Sequence, residues 1–129
     1  MKLLRVGEFG SEIVAALDGN NVIRDLSDQI KDLNPQTINE ETFNKLKRIK
    51  LSELKKINSN IRIGACISNP VDFLAIGLNY KAHAEGTKSK LPSEPIVFNK
   101  SSGCIQGPND QIVKPKSCLL YTSDAADEV

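Results

Sequence analysis

Histidine is the natural general base near neutral pH, because its ordinary titration range spans that region. This chain of 129 residues has one histidine, His83. It lies in the run Ile76-Gly77-Leu78-Asn79-Tyr80-Lys81-Ala82-His83-Ala84-Glu85. An apolar strand end, Leu74–Gly77, and a polar pair, Asn79-Tyr80, precede it. Catalytic groups often sit on such loops after strands. The competing reading of a lone histidine is a surface or hydrogen-bonded structural residue. Hard cations need several oxygen ligands, and residues 1–116 carry no clustered carboxylates to supply them. Cys66, Cys104 and Cys118 are far apart, odd in number and without a Cys-x-x-Cys pair. They read as reduced thiols, neither a disulfide framework nor a zinc site.

Two regions must position these groups, and the class expected is α+β. The first, residues 1–60, reads as a small α+β domain. Lys2–Val6, Glu12–Leu17 and Val22–Asp25 are short apolar runs. Asp18-Gly19 between the last two predicts a hairpin, with Gly19 accepting positive φ. Ser27 is a candidate cap for a helical turn ending near Asn34-Pro35. Asn39 is a candidate N-cap for a helix over Glu40–Ile49, with acids in its first turn and bases in its last. Phe43, Leu46 and Ile49 would form its buried stripe. A further turn is expected at Leu51–Ile57, and Asn58-Ser59-Asn60 reads as a linker. The second region, residues 61–116, is strand-rich: Ile61–Ile63, Val71–Gly77, Pro95–Lys100 and Gln111–Lys114. Gly107-Pro108-Asn109-Asp110 is a strong turn signal. These strands are too few to close a sheet and would leave edges and apolar faces open.

Composition excludes several classes. The net charge of +1 gives no electrostatic case for nucleic acid or a membrane surface. The basic stretch Lys45–Lys50 is flanked by Glu40, Glu41 and Glu53, as on a solvated helix face. No run of roughly 18 apolar residues occurs, and the opening Met1–Gly7 lacks a signal peptide's apolar core. A cytoplasmic protein is expected.

The His83 run resembles the active-site entry motif of the fumarylacetoacetate hydrolase family. The resemblance extends through Pro92–Lys100 and Gly107–Pro115. In one branch of that family a small N-terminal domain precedes a catalytic β-roll. Met1–Arg5 and the stretch from Asp18-Gly19 to Arg24-Asp25-Leu26-Ser27 look like that domain. Together the matches cover most of residues 1–116, which would make residues 61–116 the truncated start of the β-roll.

The resemblance implies metal-dependent cleavage of a C–C bond in 2,4-diketo acids or acylpyruvates. Mg²⁺ or Mn²⁺ would hold the carboxylate and keto oxygen of a small keto-acid substrate. The histidine of the Asn-Tyr-x-x-His motif activates water, and a nearby glutamate orients its ring. His83 is then the base. Glu85 is the available helper, because the usual position three residues on is Gly86. On a regular helix i+2 points away from i, so Glu85 serves His83 only if the segment is irregular; otherwise it is a solvent-exposed acid. Asn79 and Tyr80 would shape the pocket floor or bind substrate oxygens, or else form a structural turn. Phe98 matches a packing position near the pocket. Lys100 would meet the substrate carboxylate, or else be an outward strand lysine.

The family's metal ligands, a Glu-x-Glu pair and a later Asp, fall downstream of Pro115. The chain as written is therefore expected to bind no catalytic cation and to be inactive, and the full-length form is expected to be a homodimer. Ureidoglycolate lyase and hydroxyheptadiene-dioate isomerase or decarboxylase are alternatives on the same scaffold. A non-catalytic N-terminal module is the alternative of another class. Residues 117–129 resemble no part of the family. Cys118–Glu128 resembles the in-frame translation of a sequencing adaptor, so this tail is expected to be non-native, with the natural protein continuing past Lys116.

Overall fold

The computed structural model describes residues 1–113; the tail at 117–129 and the continuation past Lys116 lie outside them. The chain is α+β. It divides into two units, Met1–Phe73 with Ser101–Asp110, and Leu74–Lys100 with the residues from Gln111 onward.

The first unit is built on an antiparallel sheet of β1 (Lys2–Val6), β2 (Ile13–Leu17) and β3 (Ile23–Asp25), in that order. Leu4 pairs with Ala15, and Ala16 with Arg24. Alternate residues of a strand point to opposite faces. In β2, Val14 and Ala16 pack with Leu26, Ile30, Leu33 and Leu46. Ala15 packs with Val6 and Ile23, under Ile57, Ile61 and Ile63. Both faces are thus covered, which explains why β2 is apolar throughout rather than alternating. Both edges are covered too. The Ile57 N–H donates to the Ile23 carbonyl at 2.9 Å, and the Gly64 N–H to the Arg5 carbonyl at 2.8 Å. Such pairing shortens the free row of strand donors and acceptors at each edge.

The β2–β3 hairpin forms where Asp18-Gly19 predicts it, but by another device. Asp18 Oδ1 accepts from the Asn20 and Val22 N–H groups at 2.8 and 3.0 Å. The residue with positive φ is Asn21, at 59°. Asn tolerates the left-handed region and Asp closes such turns through its side chain, so Gly19 is not called upon.

Helix α1 spans Glu40–Lys47. The Asn39 side chain accepts from the Thr42 N–H at 2.9 Å, so it is the N-cap. Of the expected stripe, Leu46 is fully buried and Ile49 packs against the core, but Phe43 is 36% exposed. A three-residue step turns about 300° on a helix. Phe43 therefore sits well round from Ile49, and so short a helix presents only a narrow face to the core. No helix starts at Ser27. The Ser27 N–H and hydroxyl donate to Asp25 Oδ1 at 2.9 and 2.7 Å, so Asp25 closes this turn. One turn of 3₁₀ helix covers Leu51–Glu53 and another Ser102–Cys104.

The second unit holds β4 (Leu74–Gly77) and β5 (Ile96–Asn99), paired antiparallel with Gly77 opposite Ile96 and Leu74 opposite Asn99. Helix α2 (Lys81–Gly86) lies between them in sequence. The strand expected at Gln111–Lys114 does not form over residues 111–113.

Candidate functional site

Strand β4 ends at Gly77, and Leu78 turns the chain with φ 48°. A non-glycine residue held there costs about 1–2 kcal/mol and is found where the chain must bend sharply. Asn79 and Tyr80 follow, both exposed, Tyr80 by 75%. The Tyr80 carbonyl accepts from the His83 and Ala84 N–H groups at 3.0 and 3.2 Å, which starts α2. Ala84 is the buried residue of this helix, and His83 faces out.

The hydrogen bonds of His83 among the described residues run through its backbone. The residue is exposed to solvent. Glu85 lies on the same regular helix turn. Its carboxylate is 3.8 Å from the Lys81 ammonium, both well exposed. That i,i+4 pair draws Glu85 along its own helix face, away from the imidazole.

On β5, Phe98 is 44% exposed. The Lys100 ammonium stands 5.9 Å from its ring centroid, within cation–π range. An open cleft of about 340 Å³ lies beside Gly77, Asn79, Lys81, Pro92 and Glu94. Asn79 lines it; His83, Tyr80, Phe98 and Lys100 do not.

The first unit holds a charged cluster that no sequence motif announces. Arg62 donates to Asp110 at 2.8 and 2.6 Å and to Glu12 at 2.8 Å. Arg5 donates to Asp32 at 2.7 Å and reaches Glu12 at 3.4 Å. Ser68 donates to Asp32 at 2.6 Å. Burial works against ionising Glu12, but the Arg62 hydrogen bond and the two guanidinium charges outweigh it and hold this carboxyl below its ordinary range. Asp32 is likewise lowered, its burial overcome by Ser68 and Arg5. The Arg62 hydrogen bond, with the Gly107 N–H, lowers Asp110; Asp110 in turn raises Arg62. The only sequence signal was the Gly107–Asp110 turn itself, which gives no hint of partners 48 residues away.

No family model matches the chain. It is 41% identical over 119 residues to a protein named "Putative hydrolase" from Burkholderia ambifaria. Proteins of the same description from Burkholderia lata and Burkholderia cenocepacia are 40% identical over the same length. Each match takes in 92% of this chain, and the chain spans 42% of the length of these curated relatives.

Proposed function

We propose that the whole protein is a hydrolase of the fumarylacetoacetate hydrolase type, cleaving a C–C bond in a 2,4-diketo acid or acylpyruvate with His83 as general base. The match to the hydrolase-named relatives supports the hydrolase part of this reading, and the Asn79-Tyr80-x-x-His83 motif suggests the rest. It covers 119 of 129 residues, so residues 79–83 necessarily fall inside it.

The roles assigned to the residues follow the resemblance of the Asn79-Tyr80-x-x-His83 run to the family motif. A neutral imidazole nitrogen of His83 takes a proton from water as the oxygen attacks the carbonyl carbon distal to the acid. The tetrahedral centre collapses and the C–C bond breaks. Its electron pair enters the enolate of the departing keto acid, which the imidazolium can then protonate. Asn79 and Tyr80 supply hydrogen-bonding groups toward the substrate oxygens, and the Lys100 ammonium offers a counter-charge to its carboxylate. Glu85 is engaged with Lys81 and would have to leave it to orient the ring.

The described residues contain no group of three or more His, Cys, Asp or Glu suited to a cation. They do not fit a metal ion, and no step is assigned to one. Dependence on Mg²⁺ or Mn²⁺ belongs, in this reading, to residues of the whole protein outside 1–113. The exposed apolar side chains Ile76, Val97 and Phe98 suit a covered surface, consistent with a homodimer.

The test is product analysis by NMR on the whole protein, with an acylpyruvate and with ureidoglycolate, with and without Mg²⁺. The expected result is pyruvate plus the matching carboxylic acid, formed only with the cation. Turnover of ureidoglycolate alone would hand the assignment to the lyase, and no turnover of either would remove the enzyme reading.

A further inference from the structure

The chain leaves its first unit after Phe73 and re-enters it at Ser101. A cysteine stands near each crossing, Cys66 before the exit and Cys104 after the return. Both are free and exposed. They line one cleft of about 470 Å³, between Ile67 and Phe73 on one segment and Ile105 and Gln106 on the other.

The two segments are pinned together close by. At Gly107 a Cβ would collide with the Ile63 carbonyl oxygen and press on the Gly64 Cα at 3.1 Å. Asp110 is gripped by Arg62 through paired contacts. Cys66 follows Gly64 by two residues and Cys104 precedes Gly107 by three. An extended residue spans at most about 3.6 Å, so the Cα atoms of Cys66 and Cys104 lie within about 7 Å of Gly64 and about 11 Å of Gly107, respectively.

We propose that Cys66 and Cys104 are a redox pair, a site that reacts with low-molecular-weight disulfides and closes to an intramolecular disulfide. One cysteine gives up its proton, and its thiolate attacks the small disulfide R–S–S–R. A mixed disulfide forms and one R–S⁻ leaves. The second thiolate then attacks the protein sulfur of that mixed disulfide and expels the other R–S⁻. The two cysteines are oxidised together, the small disulfide is reduced to two thiols, and the protons lost by the cysteines end on the leaving groups. Among the described residues no third His, Cys, Asp or Glu joins the pair to make a metal site.

The bond would enclose residues 67–103, the stretch that carries β4, α2 and β5. It would tie both crossings of the chain at their root. A reversible bond of this kind suits a reducing compartment, where disulfides are transient and sense redox state. A disulfide needs the two Cα atoms within roughly 4.4–6.8 Å, and the cross-linking experiment reads that approach directly.

The experiment uses the full 129-residue chain carrying Cys118→Ser, since Cys118 is a third thiol outside the described residues. It is treated with oxidised glutathione, in buffer and in urea, and read by intact mass and peptide mapping. In buffer the expected product is lighter by two hydrogens, contains a Cys66–Cys104 cross-link and retains no glutathione. Adding Cys66→Ser or Cys104→Ser should leave a persistent glutathione adduct on the remaining thiol. Glutathione retained on both thiols in buffer, thiols that stay reduced, or a cross-link that forms as readily in urea would each overturn the proposal.

Discussion

Arg62 carries carboxylates on two sides, Glu12 and Asp110, and lies 5.4 Å from the Phe9 ring centroid. The guanidinium thereby joins the residue just before β2 to the Gly107–Asp110 turn. The ordinary carboxyl values are 4.5 for Glu12 and 3.8 for Asp32 and Asp110, and all three are lowered in the folded chain. The unfolded chain therefore binds protons that the folded chain does not. The stabilisation is complete above those ordinary values and is lost as pH falls through the lowered ones. We expect Tm to be steady near pH 6–7 and to fall below about pH 4, and Asp110→Asn to flatten that fall. Differential scanning calorimetry across this range checks it, and a Tm unchanged down to about pH 3 would contradict it. None of this network was legible beforehand. Charged residues spaced 7 to 50 positions apart carry no periodicity, and only the fold brings them together. His83, by contrast, stood out as the single imidazole, and the structure places it on an exposed helix face.

Elements were legible where the determinant is local. Asn39 could be read as a cap because a capping side chain acts within three residues of itself. The spacing predicts Phe43 in the buried stripe, yet it is partly exposed, because its burial depends on how α1 sits on the sheet. Asp18-Gly19 marked the hairpin, but the positive φ fell on Asn21 because the Asp18 carboxylate sets the geometry of the turn. The end of α2 shows the same logic in a place the sequence did not flag. The Ser89 N–H donates to the Ala84 carbonyl at 2.8 Å and the Lys88 N–H to Glu85 at 3.1 Å. Lys88 has φ 54°. This is a Schellman ending, in which glycine is the usual left-handed residue. Lys88→Gly should therefore stabilise α2 and with it the second unit by about 1 kcal/mol. Urea unfolding followed by circular dichroism measures this; a loss of stability would show that Lys88 contributes more through its side chain than it costs in its backbone.

On the scale of the whole molecule the two units differ in kind. The first encloses two apolar clusters, one on each face of its sheet. Among the described residues the second shows a two-stranded ribbon and one short helix, and β5 is exposed along its whole length. A lone ribbon is marginal in water. The relatives run to more than twice this chain's length, and we assign the activity to that whole. Among the described residues no helix is long and apolar enough to cross a membrane. We propose His83 as the base of a hydrolytic reaction, and the decisive measurement is His83→Ala in the whole protein, assayed on an acylpyruvate. We predict a kcat lower by about 10²–10⁴-fold, with KM and Tm close to those of the unaltered protein. An unchanged kcat would contradict the claim.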